Sequence, residues 1–119
     1  MKVMPFCFVA DVEESERFYA ALGLTLDRRG RTPGWSEMAA PGGGVGLHSA
    51  AGGDPPRPPG TVELVLVSDE PLEEVARRLD AAGYHHGPIA DEAFGRFLQT
   101  VDPDGLVLQV QEHDASLYT

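Results

Sequence analysis

Cys7 is the only cysteine in the 119-residue chain. Alone it makes neither an intrachain disulfide nor a Cys-x-x-Cys zinc site, and no partner base stands ready to activate it as a nucleophile. His85 and His86 are adjacent, so on a strand they would face opposite sides and could not share an ion; they are expected as solvated loop histidines. No serine sits in a nucleophile-elbow pattern, and Gly42-Gly43-Gly44 lacks the lysine and following helix of a phosphate loop, which leaves a hairpin turn. The remaining side chains of interest are suited to binding. With a strand period of two, Met4, Phe6 and Phe8 share a face, as do Glu63, Val65 and Val67, and Gln109 and Gln111. Trp35 and Met38, with Phe94 and Phe97, add an aromatic and sulfur-rich wall. Such a wall with a few polar groups is the composition of a small-molecule pocket, and Trp and Phe stack on flat conjugated ligands. The blander reading of the same residues is the core face of a small sheet.

These residues need elements to position them. Pro41-Gly42-Gly43-Gly44 reads as a tight turn, and Gly52-Gly53-Asp54-Pro55-Pro56-Arg57-Pro58-Pro59-Gly60 as a stiff linker that splits the chain near its midpoint. The two sides match. Each opens with a strand-like run (3–9 and 62–67), continues through an aspartate (Asp11, Asp69) and a helical pattern, and stops that helix at a glycine (Gly23, Gly83). Asp11 with Glu14 forms a capping box, and Pro71 suits a first turn. Phe18 and Leu22 are expected on the core face of the first helix, and Leu72, Val75, Leu79 and Ala82 on that of the second. Cys7 alternates away from the Phe6 and Phe8 face and is expected to pack towards a helix. Short strands follow at 24–29, 35–40 and 45–49, and at 88–90, 96–101 and 106–111. The order is β-α-β-β-β, twice: module 1–52, linker 53–60, module 61–112 and tail 113–119. Repeated units usually cannot bury their apolar faces alone. The expected fold class is therefore α+β, with tandem βαβββ modules forming a curved, cup-like mixed sheet and helices outside.

Apolar residues make up 42% and charged residues 24%, a globular balance. No run approaches the roughly 20 apolar residues of a membrane span. The N-terminus lacks signal-peptide features, so a reduced, cytoplasmic protein is expected. The formal net charge of −10 disfavours nucleic acid and anionic lipid as partners and mildly favours cationic ligands.

Paired βαβββ units carrying Asp11, Arg17-Phe18-Tyr19, Leu22-Gly23, Phe94-Gly95-Arg96 and Asp102-Pro103-Asp104-Gly105 resemble the vicinal oxygen chelate superfamily of glyoxalases, bleomycin-resistance proteins and extradiol dioxygenases. The resemblance covers essentially the whole chain. Asp102 to Gly105 reads independently as a turn, and Arg96 as a surface or edge residue. The resemblance implies a divalent ion held by the first and last strands of each unit. Carried over by spacing, the ligand positions read Met4, Gly46 (or His48, two residues on), Glu63 and Gln109. A thioether, a hydrogen, one carboxylate and one amide make a poor set for a hard ion, for which three protein ligands are usual. No metal, cofactor or catalytic residue is therefore expected. Met4, Phe6, Phe8, Trp35, Met38, His48, Glu63, Val65, Phe94, Phe97, Gln109 and Gln111 become ligand-binding residues.

The resemblance then implies a non-catalytic binder that confers antibiotic resistance by sequestering a natural product: a bleomycin-like glycopeptide, an enediyne or an aromatic polyketide. The alternative is a metal-dependent lyase, isomerase or dioxygenase using His48, Glu63 and Gln109. The resemblance also implies a homodimer with exchanged modules, which the linker would permit. Leu117 and Tyr118 are the apolar residues of the tail.

Overall fold

The computed structural model describes residues 1–31 and 33–117. In chain order the elements are β1 (Lys2–Val3), β2 (Phe6–Val9), α1 (Val12–Leu22), β3 (Thr25–Arg29), β4 (Trp35–Ala40), β5 (Gly43–Ser49), β6 (Val62–Glu63), β7 (Val65–Val67), α2 (Leu72–Ala82), β8 (Ala90–Glu92), β9 (Gly95–Val101) and β10 (Val107–His113), followed by a 3-10 turn at Ala115–Leu117. The α+β class expected from the sequence holds, with two helices and two mixed sheets of five strands. Tyr118 lies outside the described residues.

Two compact units form: Met4–Glu63, and Met1–Val3 together with Leu64–Leu117. The division explains why the expected single strands 3–9 and 62–67 are each broken in two. Pro5 has no N–H to continue a ladder. Before it, β1 pairs antiparallel with β7; after it, β2 pairs antiparallel with β6 and parallel with β5. Leu64 marks the matching break between β6 and β7. The Pro/Gly segment 53–60 is folded back onto its own unit: Arg57 N donates to Ala50 O at 3.0 Å and Gly60 N to Phe8 O at 2.8 Å.

In the Met4–Glu63 unit the sheet order is β3-β4-β5-β2-β6, and α1 packs on β3, β4 and β5. Asp11 Oδ1 accepts the Glu14 N–H at 3.1 Å and caps α1, and Gly23 closes it in a left-handed cap. The expected inner face was wrong. Phe18 is 58% exposed and Leu22 64%, whereas Glu16 is buried. The helix starts at Val12, and counting from there in steps of three and four reaches Ser15, Glu16 and Tyr19. Glu16 is tolerated inside because Arg29 holds it through two hydrogen bonds, at 2.9 and 3.2 Å. Cys7 does face the helix, where the Tyr19 hydroxyl lies 3.8 Å from its sulfur.

In the other unit the order is β1-β7-β10-β9-β8, and α2 packs on β9 and β10. Leu72 and Val75 form the core with Leu98 and Val110, and Leu79 packs at its edge; Ala82 is exposed. Pro71 offers the helix start no side-chain cap. Glu112 takes that role from β10, accepting the Leu72 N–H at 3.0 Å. Arg96 then links three elements, bonding Glu112 from β9 and reaching Glu73 on α2 at 2.8 and 2.9 Å. His86, expected as a solvated histidine, instead has its Nε2 3.0 Å from Asp80 and its Nδ1 2.7 Å from the Gly87 carbonyl. The Asp102 turn forms as expected: Asp102 Oδ1 accepts the N–H groups of Asp104 and Leu106, both at 2.9 Å.

These pairs set a pH dependence. Hydrogen bonds from Arg96 hold Glu73 down to about 2, and hydrogen bonds from Arg29 and Arg96 hold Glu16 and Glu112 below the usual range. A depressed carboxylate stabilises the fold above its unfolded pKa and loses that contribution as pH falls through its folded value. Melting temperature should therefore fall from pH ~4.5 downwards and keep falling towards pH ~2. Glu73→Gln should flatten the lower end of that curve, and an unchanged slope would contradict the assignment. His86 has the opposite sign. Its pKa is raised, first by the Gly87 carbonyl and also by Asp80, so its contribution is present below pH ~6.5 and lost as pH rises through the folded value.

Candidate functional site

Within the Met4–Glu63 unit, sheet register decides which side chains share the face turned away from α1. Phe6 pairs with Gly46 and with Glu63, and Phe8 pairs with His48, which in turn pairs with Trp35. Paired residues point the same way, so Phe6, Phe8, Trp35, Gly46, His48 and Glu63 start from one face. Met38 does not join them. It lies three residues from Trp35 on β4, hence on the opposite side, where it is buried at 1% exposure. The expected common wall of Trp35 and Met38 breaks on that parity. Met4, in the sequence break before β2, is buried.

Glu63 and His48 of this face are already engaged. Glu63 forms an ion pair with Arg57, whose guanidinium carbon lies 4.4 Å from the centroid of the Phe8 ring. The His48 ring lies 5.3 Å from Phe8, and its Nδ1–H donates to the Ser49 carbonyl at 2.9 Å. Gly46 is a glycine for a spatial reason: a Cβ there would stand 2.3 Å from the Phe6 ring. Trp35 turns its indole edge over Gly30, where a Cβ would stand 2.3 Å from Nε1.

Within the other unit, Val65, Phe97, Gln109 and Gln111 share the face turned away from α2, since Gln109 pairs with Val65 and Gln111 with Val67 and Phe97. A polar ladder runs down β10 on this face. Gln111 Nε2 donates to Gln109 Oε1, and His113 Nε2–H donates to Gln111 Oε1, each at 2.7 Å. Phe94 sits in the turn between β8 and β9, with its ring 5.4 Å from that of His113. Val65 and Gln111 are buried; Phe97 and Gln109 are half-buried.

Three residues at these faces escaped the sequence analysis. Glu37 pairs with Gly46 and is buried on the Phe6 face, with Arg28 4.0 Å away. Arg57 was counted as linker, although a lone cation held among prolines is a signal of fixed placement. His113 was assigned to the tail, although the period-two series Gln109, Gln111, His113 continues the strand.

The carried-over metal positions do not suit an ion. Glu63 is neutralised by Arg57, Gln109 Oε1 accepts from Gln111, and the Phe6 ring takes the space a longer residue at 46 would need. Among the described residues no three His, Cys, Asp or Glu side chains gather as a cage. Arg57→Ala should leave Glu63 half-buried beside an uncovered Phe8 and cost about 1–2 kcal/mol, read by urea unfolding. A change below about 0.3 kcal/mol would show the pair to be inert.

A helix on one face of a mixed sheet, built twice in β-α-β-β-β order with aromatic and amide groups on the other face, defines a duplicated α+β module protein. The chain belongs to the Glyoxalase/Bleomycin resistance protein/Dioxygenase superfamily, whose family model matches residues 4–110. Among solved structures, a protein from Legionella pneumophila described as an NAD-dependent benzaldehyde dehydrogenase is 19% identical, with 94% of this chain and 99% of that one covered at a TM-score of 0.68. A superfamily member from Vibrio splendidus 12B01 is 16% identical over 95% and 98%, at a TM-score of 0.58. Both likenesses concern the fold. An antibiotic binding protein from Streptomyces sp. CB03234 is 24% identical over 93% of each chain, but at a TM-score of 0.42 it carries no argument. No curated protein matches the sequence. Among the described residues, no helix is long and apolar enough to cross a membrane.

Proposed function

We propose that this chain binds a small natural product and holds it unchanged, so that resistance comes from sequestration. The observation that carries the reading is the engagement of Glu63 by Arg57 over the Phe8 ring, which turns the carboxylate of a would-be ion site into part of an aromatic binding surface. Within the Met4–Glu63 unit, the Arg57 guanidinium over Phe8 and the half-buried Trp35 supply flat surface for a conjugated ring system. Within the other unit, Phe97 shares a face with Gln109 and Gln111, whose amide ladder offers hydrogen-bonding groups. The net charge of −10 favours a cationic ligand over an anionic one, which fits a basic glycopeptide best among the three expected classes. The protein works as a cytoplasmic homodimer.

Calorimetric titration with a bleomycin-type glycopeptide, an enediyne and an aromatic polyketide tests this, followed by mass analysis of the recovered compound. One class should bind below ~100 μM and be recovered intact, with the same affinity before and after incubation with Ni, Mn, Fe or Zn. Recovery of an altered compound, or binding that depends on stoichiometric metal, would establish the enzymatic alternative. Light scattering at micromolar concentration checks the dimer, and a monomer would refute it.

A further inference from the structure

The chain has three glutamines and no asparagine. All three side-chain amides stand on one face of one ladder in the Leu64–Leu117 unit: Gln99 on β9 pairs with Gln109 on β10, and Gln111 follows two residues on. Directly opposed side chains on a face start about 5 Å apart, so one ligand group can meet both Gln99 and Gln109. Gln99 is exposed and Gln109 half-buried.

The ladder has a direction. His113 Nε2–H donates to Gln111 Oε1, and Gln111 Nε2 donates to Gln109 Oε1. This engages the Gln109 carbonyl and leaves its NH2 as the donor at the end of the ladder. Among the described residues, the Gln109 nitrogen and the whole Gln99 amide meet no protein partner.

The surroundings fix the rest of the ligand's chemistry. Positions 97, 99 and 101 on β9 face 111, 109 and 107 on β10, and besides the glutamines they hold Phe97, Val101 and Val107, with no charged side chain. Val101 is 50% exposed and Val107 49%, so accessible apolar surface borders the Gln99 and Gln109 pair. An ionised ligand group would give up water here without a counter-charge. The face therefore favours a neutral hydrogen-bonding edge on an apolar body.

We propose that this face recognises the amide edge, C=O beside N–H, of an uncharged lactam or carboxamide. The Gln99 amide meets that edge with both of its ends, as a glutamine side chain meets the adjacent donor and acceptor of a nucleobase. The Gln109 NH2 donates to the second lone pair of the ligand carbonyl. The inference deepens the reading of the chain as a binder and rests on it in taking this face to be open to a ligand.

The test is a titration of the full-length, nitrogen-15-labelled protein with 2-quinolinone, a flat neutral lactam. With three glutamines and no asparagine, the side-chain amide region of the spectrum holds three NH2 pairs. The expected result is saturable shifts of the Gln99 and Gln109 pairs, with a Kd below ~1 mM. N-methyl-2-quinolinone lacks the N–H and quinoline lacks the whole amide edge, and each should bind about ten-fold more weakly or worse. Gln99→Ala and Gln109→Leu should each weaken 2-quinolinone by a similar factor; Gln99 is exposed, so its variant keeps the test open should the other fail to fold. The proposal is overturned by any of three results: no saturable shift up to ~3 mM, equal binding of the N-methyl compound, or shifts that leave the Gln99 and Gln109 pairs in place. Intact capture of a natural product with no response to 2-quinolinone would sink this inference alone. Binding of 2-quinolinone with no natural product held would support it and sink the sequestration reading.

Discussion

Gly95→Ala should lower stability by roughly 3 kcal/mol or more and the melting temperature by about 10 °C or more. Gly95 has φ +145, and a Cβ there would stand 2.0 Å from the Glu112 carbonyl oxygen and 3.0 Å from the Asp114 nitrogen. Both obstacles are backbone, so neither swings aside as the tip of a side chain would. Moving the Glu112 backbone also disturbs its carboxylate, which caps α2 and pairs with Arg96. Gly105→Ala is the control. Its φ is +91 but the space around it is open, so it carries backbone strain alone, about 1 kcal/mol. Urea unfolding of the two variants separates the effects, and equal losses would show that the close approach to Glu112 is unimportant.

Leu98→Ala should cost about 2–5 kcal/mol. Leu98 is 0% exposed and pairs across the ladder with Val110, and both pack with Leu72 and Val75 of α2. Truncation leaves a cavity that the paired strands β9 and β10 cannot close by collapsing. The check is urea unfolding with an unchanged m-value, which reports a stability change without a change in the denatured state. Phe18→Ser is the informative contrast. The helical pattern placed Phe18 in the core, yet it is exposed, so its loss should change stability by less than about 0.5 kcal/mol. A large loss at Phe18 would mean that another surface covers it.

Part of the candidate site was legible because strand alternation is a short-range rule. It placed Phe6 with Phe8 and Gln109 with Gln111, and it aimed Cys7 at the helix, where Tyr19 meets it. Trp35 and Met38 were assigned to one wall without that rule, and their odd spacing on β4 separates them. The helical stripe of α2 was legible for Leu72, Val75 and Leu79 because three aliphatic residues recur at helical spacing. On α1 the pattern failed because its inner face carries a glutamate. Glu16 is acceptable inside only once Arg29, thirteen residues away, reaches it, and no local pattern announces that partner.

By itself the sequence determined the duplicated β-α-β-β-β order, the caps at Asp11, Gly23 and Gly83, and the turn at Asp102, because each follows from the conformational preferences of a few adjacent residues. The tertiary structure alone decided how the strands divide at Pro5 and Leu64, that Arg57 pairs with Glu63 over Phe8, and that Arg96 ties Glu73 to Glu112. Those choices depend on which distant strands become neighbours. A charged or aromatic side chain takes its role from the partner that fills its hydrogen bonds or covers its face, and that partner is fixed only when the sheets have formed.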